Sequence, residues 1–139
     1  MYRIEDSNFD EFKEICEQSF EAGEPANCEN YTFKKLVCDD GDLCAIGHIY
    51  DDFGDGYKTY IVGAFSKLSV KHVRVLVEIG DKYLDSISLY PAEILVENKN
   101  KRFERFAEFF GFKKTLARVT ENDIIYTKYI RIPKCSRQQ

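Results

Sequence analysis

Near the middle of the chain the hydrophobic period changes from that of strands to that of a helix, and this change limits the fold more than any other feature. Tyr31–Cys38, Leu43–Tyr50 and Tyr57–Ala64 are typical of strands. Turns rich in Asp and Gly separate the three segments, which therefore predict an antiparallel meander. From Val70 to Leu84, apolar residues recur at spacings of three and four, as in an amphipathic helix. The chain is expected to be an α/β protein.

A strand and a helix are predicted before the meander. Tyr2–Ile4 is typical of a short strand, and Ser7 with Asp10 is typical of the N-terminal cap of a helix. Apolar residues of that helix recur at helical spacing and form one stripe. They are Phe9, Phe12, Cys16 and Phe20. Residues 21–30 are expected to form a loop or a short irregular helix.

A strand, a helix and a hairpin are predicted after the long helix. Ala92–Glu97 is the strand, and Asn98 or Asn100 begins the helix. Gly111 follows that helix at the position where glycine favours a C-terminal cap. The hairpin consists of Phe112–Thr120 and Ile124–Ile132, with its turn at residues 121–123. Together the elements predict a central mixed, mostly antiparallel sheet flanked by helices.

The size and composition predict one folded domain over residues 1–133. A chain of 139 residues suits a single domain, and its 44% of hydrophobic residues suffices for a core. Pro133 is expected to end the ordered region, so residues 134–139 are predicted to be a flexible tail. Charges interrupt every apolar run before the ~20 residues of a membrane span, and residues 1–6 contain no signal core. A cytoplasmic protein without membrane contact is therefore expected.

The cysteines and the net charge argue against two classes of ligand. The five cysteines are scattered and none forms a Cys-x-x-Cys pair, so free thiols and no metal site are expected. The net charge of −4 argues against a general nucleic-acid binder. A basic stretch runs from Lys99 to Arg105. It is interpreted as a solvated face, with contact to an anionic cofactor or partner as the alternative.

The order of the elements and one helix motif resemble the Gcn5-related N-acetyltransferase (GNAT) superfamily. In that family an Asn opens the helix after the central strand and a Gly-Phe pair ends it. Asn100 and Gly111-Phe112 stand at the family's spacing of eleven residues. The step from Leu68 to Ser69 into the long helix is similar to that of short phage proteins of this fold. These include the internal virion protein A family of T7-like phages.

The resemblance implies an acyl-CoA-dependent N-acyltransferase that transfers an acyl group to a small-molecule or protein amine. Acetyl-CoA would lie between the third meander strand and the Ala92–Glu97 strand. Backbone groups of that third strand would hold the pantetheine arm of acetyl-CoA. The following loop would hold the pyrophosphate, and an Asn would line the far side of the cofactor. The implied cofactor residues are Val62 and Ala64, then Phe65, Ser66, Lys67, Leu68, Ser69 and Lys71, and finally Asn100.

Two positions depart from the family pattern. The family's pyrophosphate loop contains glycines, which let backbone N–H groups approach the phosphates, whereas no glycine follows Gly63 in this loop. Serine hydroxyls and lysine charges are the alternative phosphate ligands. Ala107 replaces a tyrosine that protonates the departing thiolate in many members. An alternative function is therefore a catalytically silent phage protein of this fold. It would act in virion assembly or bind a host protein, in the host cytoplasm or the virion.

Four further side chains are candidates for a general base. Glu93 and Glu97 share one face of their strand, where a carboxylate could take a proton from the acceptor amine. A solvent-facing edge is the alternative interpretation. His48 lies on the second meander strand and His72 on the long helix, and both are interpreted as structural or surface residues.

Overall fold

The computed structural model describes residues 1–17, 27–52, 57–87 and 91–132. The predicted tail (134–139), Phe20 and most of the predicted 21–30 loop lie outside the described residues. The chain divides into two compact units. Unit 1 comprises Met1–Ile49 and Ile61–Leu76, and unit 2 comprises the described parts of Tyr50–Tyr60 and Val77–Gln139. The single domain over residues 1–133 stays a prediction.

Strands dominate the described part of the chain. The strands are β1 (Arg3–Ser7), β2 (Thr32–Cys38), β3 (Gly41–Asp52), β4 (Tyr57–Phe65), β5 (Ala92–Glu97), β6 (Lys113–Glu121) and β7 (Ile124–Arg131). The helices are α1 (Phe9–Glu17), a 3₁₀ helix (Lys67–His72), α2 (Val73–Ile87) and α3 (Lys101–Phe109). Each predicted strand and helix is present, with its ends shifted by a few residues, and the predicted α/β class is confirmed.

The strands form one seven-stranded sheet in the order β1-β2-β3-β4-β5-β7-β6. The pairs β1–β2, β2–β3, β5–β7 and β6–β7 are antiparallel. β4 and β5 run parallel, with Thr59 opposite Ala92 and Tyr60 opposite Glu93. Parallel strands need a crossover connection, which α2 supplies in the chain between β4 and β5. The predicted mixed, mostly antiparallel sheet is confirmed. Within the described ranges, no helix has both the length and the apolar character needed to cross a bilayer.

The core of unit 1 contains an aromatic cluster between α1 and the sheet. Phe12 of α1 is buried, and its ring centroid lies 5.1 Å from that of Phe33 on β2. Phe9 and Cys16 of the predicted stripe pack against the same cluster. Glycine is needed at position 47, because a Cβ on Gly47 would lie 2.5 Å from the Phe33 ring. The predicted apolar stripe is therefore confirmed for the members that the structure describes.

The N-terminal cap of α1 is Asn8, so the predicted cap at Ser7 is wrong. The Asn8 side-chain oxygen accepts a hydrogen bond from the Glu11 backbone N–H at 2.9 Å. Ser7 is the last residue of β1 and pairs with Phe33. Asn and Ser cap helices about equally well, so the local sequence favoured two adjacent positions. The pairing of β1 with β2 decides between them, because it holds Ser7 in the strand.

The long helix begins later than predicted. Lys67–His72 form the 3₁₀ helix, and α2 begins only at Val73. Val70, which the apolar pattern places on the buried face, is 46% exposed. A 3₁₀ helix has three residues per turn instead of 3.6, so its side chains leave the stripe of the following α-helix. Leu76 and Leu84 of the predicted stripe are buried.

The start of α3 is fixed by Asn100, one of the two caps that the sequence allowed. Its side-chain oxygen accepts a hydrogen bond from the Phe103 backbone N–H at 2.9 Å. Asn98, the other candidate, has a different role, because its side-chain oxygen accepts a hydrogen bond from the Thr127 hydroxyl at 2.5 Å. The helix predicted after β5 is therefore confirmed, with Asn100 as its cap.

The end of α3 is a Schellman motif. Gly111 has a φ of 88°, a conformation that strongly favours glycine. Its N–H donates to the Glu108 carbonyl, and the Phe112 N–H donates to the Ala107 carbonyl, each at 3.0 Å. These two bonds satisfy carbonyl groups that the helix end would otherwise leave without partners. The predicted C-terminal cap at Gly111 is confirmed.

The β6–β7 hairpin turns at Asn122 and Asp123, which have φ values of 51° and 66°. Glu121 pairs with Ile124 directly across the turn. Two central residues with positive φ are the mark of a type I′ turn, whose twist matches that of the strands. The predicted hairpin around residues 121–123 is confirmed.

A buried ion-pair network centres on Arg131 at the end of β7. The Arg131 side chain is 0% exposed, and its guanidinium lies 2.7 Å from the carboxylates of Asp81 and Asp85 on α2. It also donates to the Phe110 carbonyl at the end of α3, at 2.7 Å. A buried charge is tolerated only when it is paired and hydrogen-bonded. Arg131 therefore ties the last strand to two helices of unit 2.

We expect Arg131→Ala to lower the free energy of unfolding by about 3–5 kcal/mol, because it removes the cation that two partly buried carboxylates share. Urea denaturation measures the change. Arg3→Ala is the control, since it removes an exposed ion pair with Glu5 and should leave the free energy of unfolding almost unchanged. Equal, small effects of the two substitutions would contradict the assigned role of Arg131.

Candidate functional site

The segment predicted to hold a pyrophosphate is the turn from β4 into the 3₁₀ helix, in unit 1. Ser66, the residue before that helix, is buried. Its N–H donates to the Leu43 carbonyl at 2.9 Å and its hydroxyl donates to the Asp42 carbonyl at 2.7 Å. Leu43 is the extra residue of a bulge in the β2–β3 pairing, where a strand bends and its ladder is locally interrupted. The turn is therefore fixed to the start of β3.

The hydroxyl of Ser69 also points into the protein. Ser69 is buried, and its hydroxyl donates to the Ser66 carbonyl at 2.6 Å. Because a hydroxyl carries a single hydrogen, the two serines use their donors within the chain. Contact between these hydroxyls and a phosphate would require the exchange of these bonds, and it stays a prediction.

The two lysines of the predicted phosphate segment are exposed to solvent. Lys67 and Lys71 are exposed, whereas Leu68 is half-buried beside Gly41. Ser66 makes no side-chain capping bond to the 3₁₀ helix. The first N–H groups of a helix have no partner within the helix, and the ammonium group of Lys67 belongs to this first turn, whereas that of Lys71 belongs to the last. Such a surface can accept an anion without glycine in the loop.

The three β4 residues predicted at the cofactor are mostly turned into the core. Ala64 is buried in the cluster that contains Phe33, and Val62 packs against it. Phe65 is half-buried at the end of the strand. A ligand along this strand would therefore meet backbone groups rather than these side chains. That contact stays a prediction.

Two positions of α3, in unit 2, bear on the family resemblance. Asn100 uses its side-chain oxygen for the helix cap, which leaves its amide NH₂ group as the donor for a ligand. Ala107 is 3% exposed. A tyrosine side chain at this position would have to displace its neighbours, since buried positions have no spare volume. The packing of α3 is therefore adapted to a small residue where the family often has a tyrosine.

The two candidate bases on β5 have different surroundings. Glu93 is buried, and its two carboxylate oxygens lie 3.3 Å from Lys58 Nζ and 3.6 Å from Lys128 Nζ. Glu97 is half-buried and lines a cavity of about 170 Å³. Glu93 is therefore part of an ion-pair cluster, whereas Glu97 lies where a small ligand could reach it.

The cavity beside Glu97 lies between α3, β5 and the β6–β7 hairpin. Its lining consists of Val96, Glu97, Asn98, Lys101, Glu104, Lys114, Arg118, Thr127 and Tyr129. Burial, together with a hydrogen bond to Glu104, raises the pKa of Tyr129 to about 12. Tyr129 is therefore a neutral hydrogen-bond donor at any physiological pH. No local sequence signal singles out this pair, because Tyr129 and Glu104 meet only when α3 packs on β7.

The two histidines belong to unit 1. His48, on β3, is half-buried, and burial, followed by the charge of Lys34, lowers the pKa of its imidazole. It is neutral at pH 7. His72 ends the 3₁₀ helix, and its Nδ1 lies 2.8 Å from the Tyr2 hydroxyl. The structural interpretation of both histidines stays a prediction.

Solved structures of acetyltransferases have the same architecture. An aminoglycoside N(6′)-acetyltransferase from Legionella pneumophila has a TM-score of 0.67 and 9% identity, covering 99% of this chain and 96% of that chain. A GnaT-family acetyltransferase from Bordetella pertussis has a TM-score of 0.60 and 15% identity, covering 93% and 94%. The chain has the GNAT fold. A chain of the NatC complex bound to Gag peptide and CoA has a TM-score of 0.64 and 16% identity, covering 94% and 97%.

The likeness to GNAT structures extends over almost the whole chain, which confirms the fold expected from the element order and from the Asn100-to-Gly111 helix. At these low identities the likeness establishes the fold alone. No protein-family model matches the sequence, and no curated protein matches it. The relationship to the phage internal virion protein A family stays a prediction.

The buried hydroxyl of Tyr129 predicts a pH dependence of stability. Its pKa is about 12 in the folded protein and about 10 in an unfolded chain, so the unfolded state loses the proton first as the pH rises. This contribution to stability is complete below about pH 10 and is lost between about pH 10 and pH 12. Urea denaturation across this range should give a steeper fall for the wild type than for Tyr129→Phe.

Tyr126→Phe is the matched control for this measurement, because Tyr126 lies on the same strand and is half-buried. It should retain the steep fall. If Tyr129→Phe shows the same slope as the wild type, the tyrosine is not a source of the alkaline loss of stability.

Proposed function

We propose that this protein is an acyl-CoA-dependent N-acyltransferase, with acetyl-CoA as donor and an amine as acceptor. One observation carries the proposal. The segment at which the GNAT resemblance implies pyrophosphate binding is a fixed turn followed by a short 3₁₀ helix with two exposed lysines, Lys67 and Lys71. The GNAT fold of the whole chain supports it.

The phosphate end of the donor fits the β4–3₁₀ turn through charge and backbone donors. The hydrogen bonds from Ser66 to β3 hold the turn in place before a ligand binds. Binding therefore costs little conformational entropy in the turn. Lys67 and Lys71 would contact the phosphate oxygens. The glycines of the family loop are not needed for this mode, since the ammonium groups reach the anion on flexible stems.

Acetyl-CoA supplies the acyl group as a thioester, which a neutral amine attacks at the carbonyl carbon. The chain must then take a proton from the amine. We assign this role to Glu97, because it lines a cavity, whereas the Glu93 oxygens face Lys58 and Lys128. With Ala107 in place of a tyrosine, the chain offers no hydroxyl at that position to protonate the thiolate. Such a general acid typically accelerates a reaction by about 10²–10⁴-fold.

The acceptor is proposed to be a small-molecule or peptide amine. The names of two structural relatives state acceptors or ligands of these classes: an aminoglycoside for the Legionella pneumophila enzyme and the Gag peptide for the NatC complex. A net charge of −4 favours approach of a cationic amine to this protein. An acceptor screen should therefore begin with aminoglycosides, polyamines and peptide N-termini.

Calorimetric titration with acetyl-CoA tests the donor site. We expect binding with a Kd below about 1 mM, within the usual range for enzyme substrates. Lys67→Glu with Lys71→Glu should weaken it by at least about tenfold, since a charge-assisted hydrogen bond contributes about 1.5–3 kcal/mol.

Lys113→Glu is the control for charge reversal away from the donor site, because it makes the same substitution once, with half the charge change of the paired variant, at an exposed residue of β6. It should leave the Kd unchanged. The proposal fails if the wild type does not bind at millimolar acetyl-CoA, or if Lys113→Glu weakens binding as much as the paired variant does.

Release of the free thiol from acetyl-CoA in the presence of an accepted amine tests the base. Glu97→Gln should lower kcat by about 10²–10⁴-fold and leave the KM for acetyl-CoA almost unchanged. Glu93→Gln is the comparison on the same face of β5. It should lower the free energy of unfolding and leave kcat almost unchanged, because it changes the ion pairs with Lys58 and Lys128. The opposite pattern would assign the base to Glu93.

The buried Ala107 favours a second candidate, a GNAT-fold phage protein without catalysis that acts in virion assembly or binds a host protein. This candidate predicts co-purification with another phage or host protein and no thiol release with any amine. A protein that purifies alone and turns over acetyl-CoA would eliminate it.

A further inference from the structure

Three side chains that commonly bind metals converge at one end of unit 1. They are the Cys38 thiol, the Asp40 carboxylate and the His72 imidazole, whose ligand atoms all lie within 4.8 Å of one another. They belong to three different classes of donor, sulfur, oxygen and nitrogen. The sequence predicts no metal site, because these residues form none of the short cysteine or histidine spacings that mark one.

The fold, rather than the spacing in sequence, brings the three together. Cys38 is the last residue of β2 and pairs with Gly41 across the hairpin, so Asp40 lies at the tip of the turn. Gly41 has a φ of 136°, which side chains rarely adopt, so the shape of this turn depends on glycine. His72 belongs to a different element, because it is the last residue of the 3₁₀ helix.

The two distances from His72 to the other donors are close to those of a tetrahedral zinc site. His72 Nε2 lies 4.0 Å from Cys38 Sγ and 3.7 Å from Asp40 Oδ2. Bonds of about 2.3 Å to sulfur and about 2.0–2.1 Å to nitrogen and oxygen, at tetrahedral angles, require about 3.6 Å and about 3.3 Å. These two pairs therefore need to close by about 0.4 Å, and the pair of Cys38 Sγ and the Asp40 carboxylate, which lies within 4.8 Å, by at most about 1.2 Å.

The second ring nitrogen of His72 has a hydrogen-bond partner, as the second nitrogen of a metal-binding histidine usually does, although here the partner is a hydroxyl rather than a carboxylate, a carbonyl or water. The Tyr2 hydroxyl lies 2.8 Å from His72 Nδ1, and the two rings meet edge to face at 5.6 Å. A hydrogen bond at Nδ1 fixes the ring so that the Nε2 lone pair faces the ligand position, here the side of Cys38 and Asp40. This contact is independent of the proximity of the three donors.

We propose that Cys38, Asp40 and His72 form a zinc site with a fourth position open to solvent. The mixture of thiolate, imidazole and carboxylate selects zinc over magnesium or calcium, which prefer oxygen donors alone. On binding, the thiol gives up its proton to solvent, and the thiolate and carboxylate together balance the charge of Zn²⁺. Asp40 is 68% exposed and His72 is 17% exposed, so the ion reaches the site from water.

The consequence of this site is a link between the β2–β3 hairpin and the 3₁₀ helix. His72 ends the helix that Lys67 begins, and Ser66 is bonded to β3 just before it. A bound zinc ion holds the C-terminal end of this 3₁₀ helix in place. The site does not depend on the acyltransferase proposal, because its test measures the metal and no activity.

Titration of the reduced, chelator-treated full-length chain with Co²⁺ tests the proposal. Cobalt takes the place of zinc and reports its ligands by absorption. We expect a near-ultraviolet thiolate-to-cobalt band and the intense visible bands of a tetrahedral site, both lost when Zn²⁺ is added. Cys38→Ser should abolish the thiolate band. Cys16→Ser, which changes a half-buried thiol on α1, is the matched control and should retain it.

Two further variants make the test independent of folding defects in Cys38→Ser. Asp40→Asn changes an exposed ligand and should weaken Co²⁺ binding by at least about 10-fold. Tyr2→Phe removes the outer contact to His72 and should weaken it by about 10–100-fold. Circular dichroism verifies that both variants are folded. The proposal is overturned if the wild type gives no thiolate band, if the band persists in Cys38→Ser, or if Asp40→Asn binds as tightly as the wild type.

Discussion

The guanidinium of Arg131 is fully buried, between two carboxylates of α2 and a carbonyl at the end of α3. A charge in such surroundings cannot shift by much without losing partners that water no longer replaces, so it fixes the helices relative to β7. The position of α3 then determines the cavity of unit 2, where Glu104 meets Tyr129. It also sets the place of Asn100 at the helix start. The shape of the unit 2 cavity thus depends on Arg131, which is not among the residues that line the cavity.

In unit 1 the comparable constraint is the short 3₁₀ helix. Ser66 is bonded to the bulged start of β3 before the helix begins, and His72 ends it next to Cys38 and Asp40. The proposed phosphate-binding segment, from Ser66 to Lys71, and the proposed zinc ligand His72 therefore share one short element. A ligand that stabilises either end also favours the helix between them. In the proposed function, the charges of Lys67 and Lys71 take the place of the glycines that the GNAT family uses for anion binding.

Local signals predicted most of the fold. The Asn100 cap, the glycine at 111 and the turn at residues 121–123 are each decided by a few neighbouring residues, and each is confirmed. The errors arose where two local choices were nearly equal. Ser7 and Asn8 are both good caps, and strand pairing selected Asn8. The apolar stripe from residue 70 fitted a helix, but its first turns adopt the tighter 3₁₀ geometry.

The candidate site was predictable only in part. The sequence alone determined the α/β class, the order of elements and the segment that resembles the GNAT phosphate loop, because periodicity, caps and turn residues act over short distances. Only the tertiary structure decided that Ser66 bonds to β3, that Glu93 is enclosed by two lysines, and that Tyr129 is buried against Glu104. It also brought Cys38 and His72 together. These contacts join residues from separate elements, and sequence spacing carries no information about them until the strands have paired and the helices have packed.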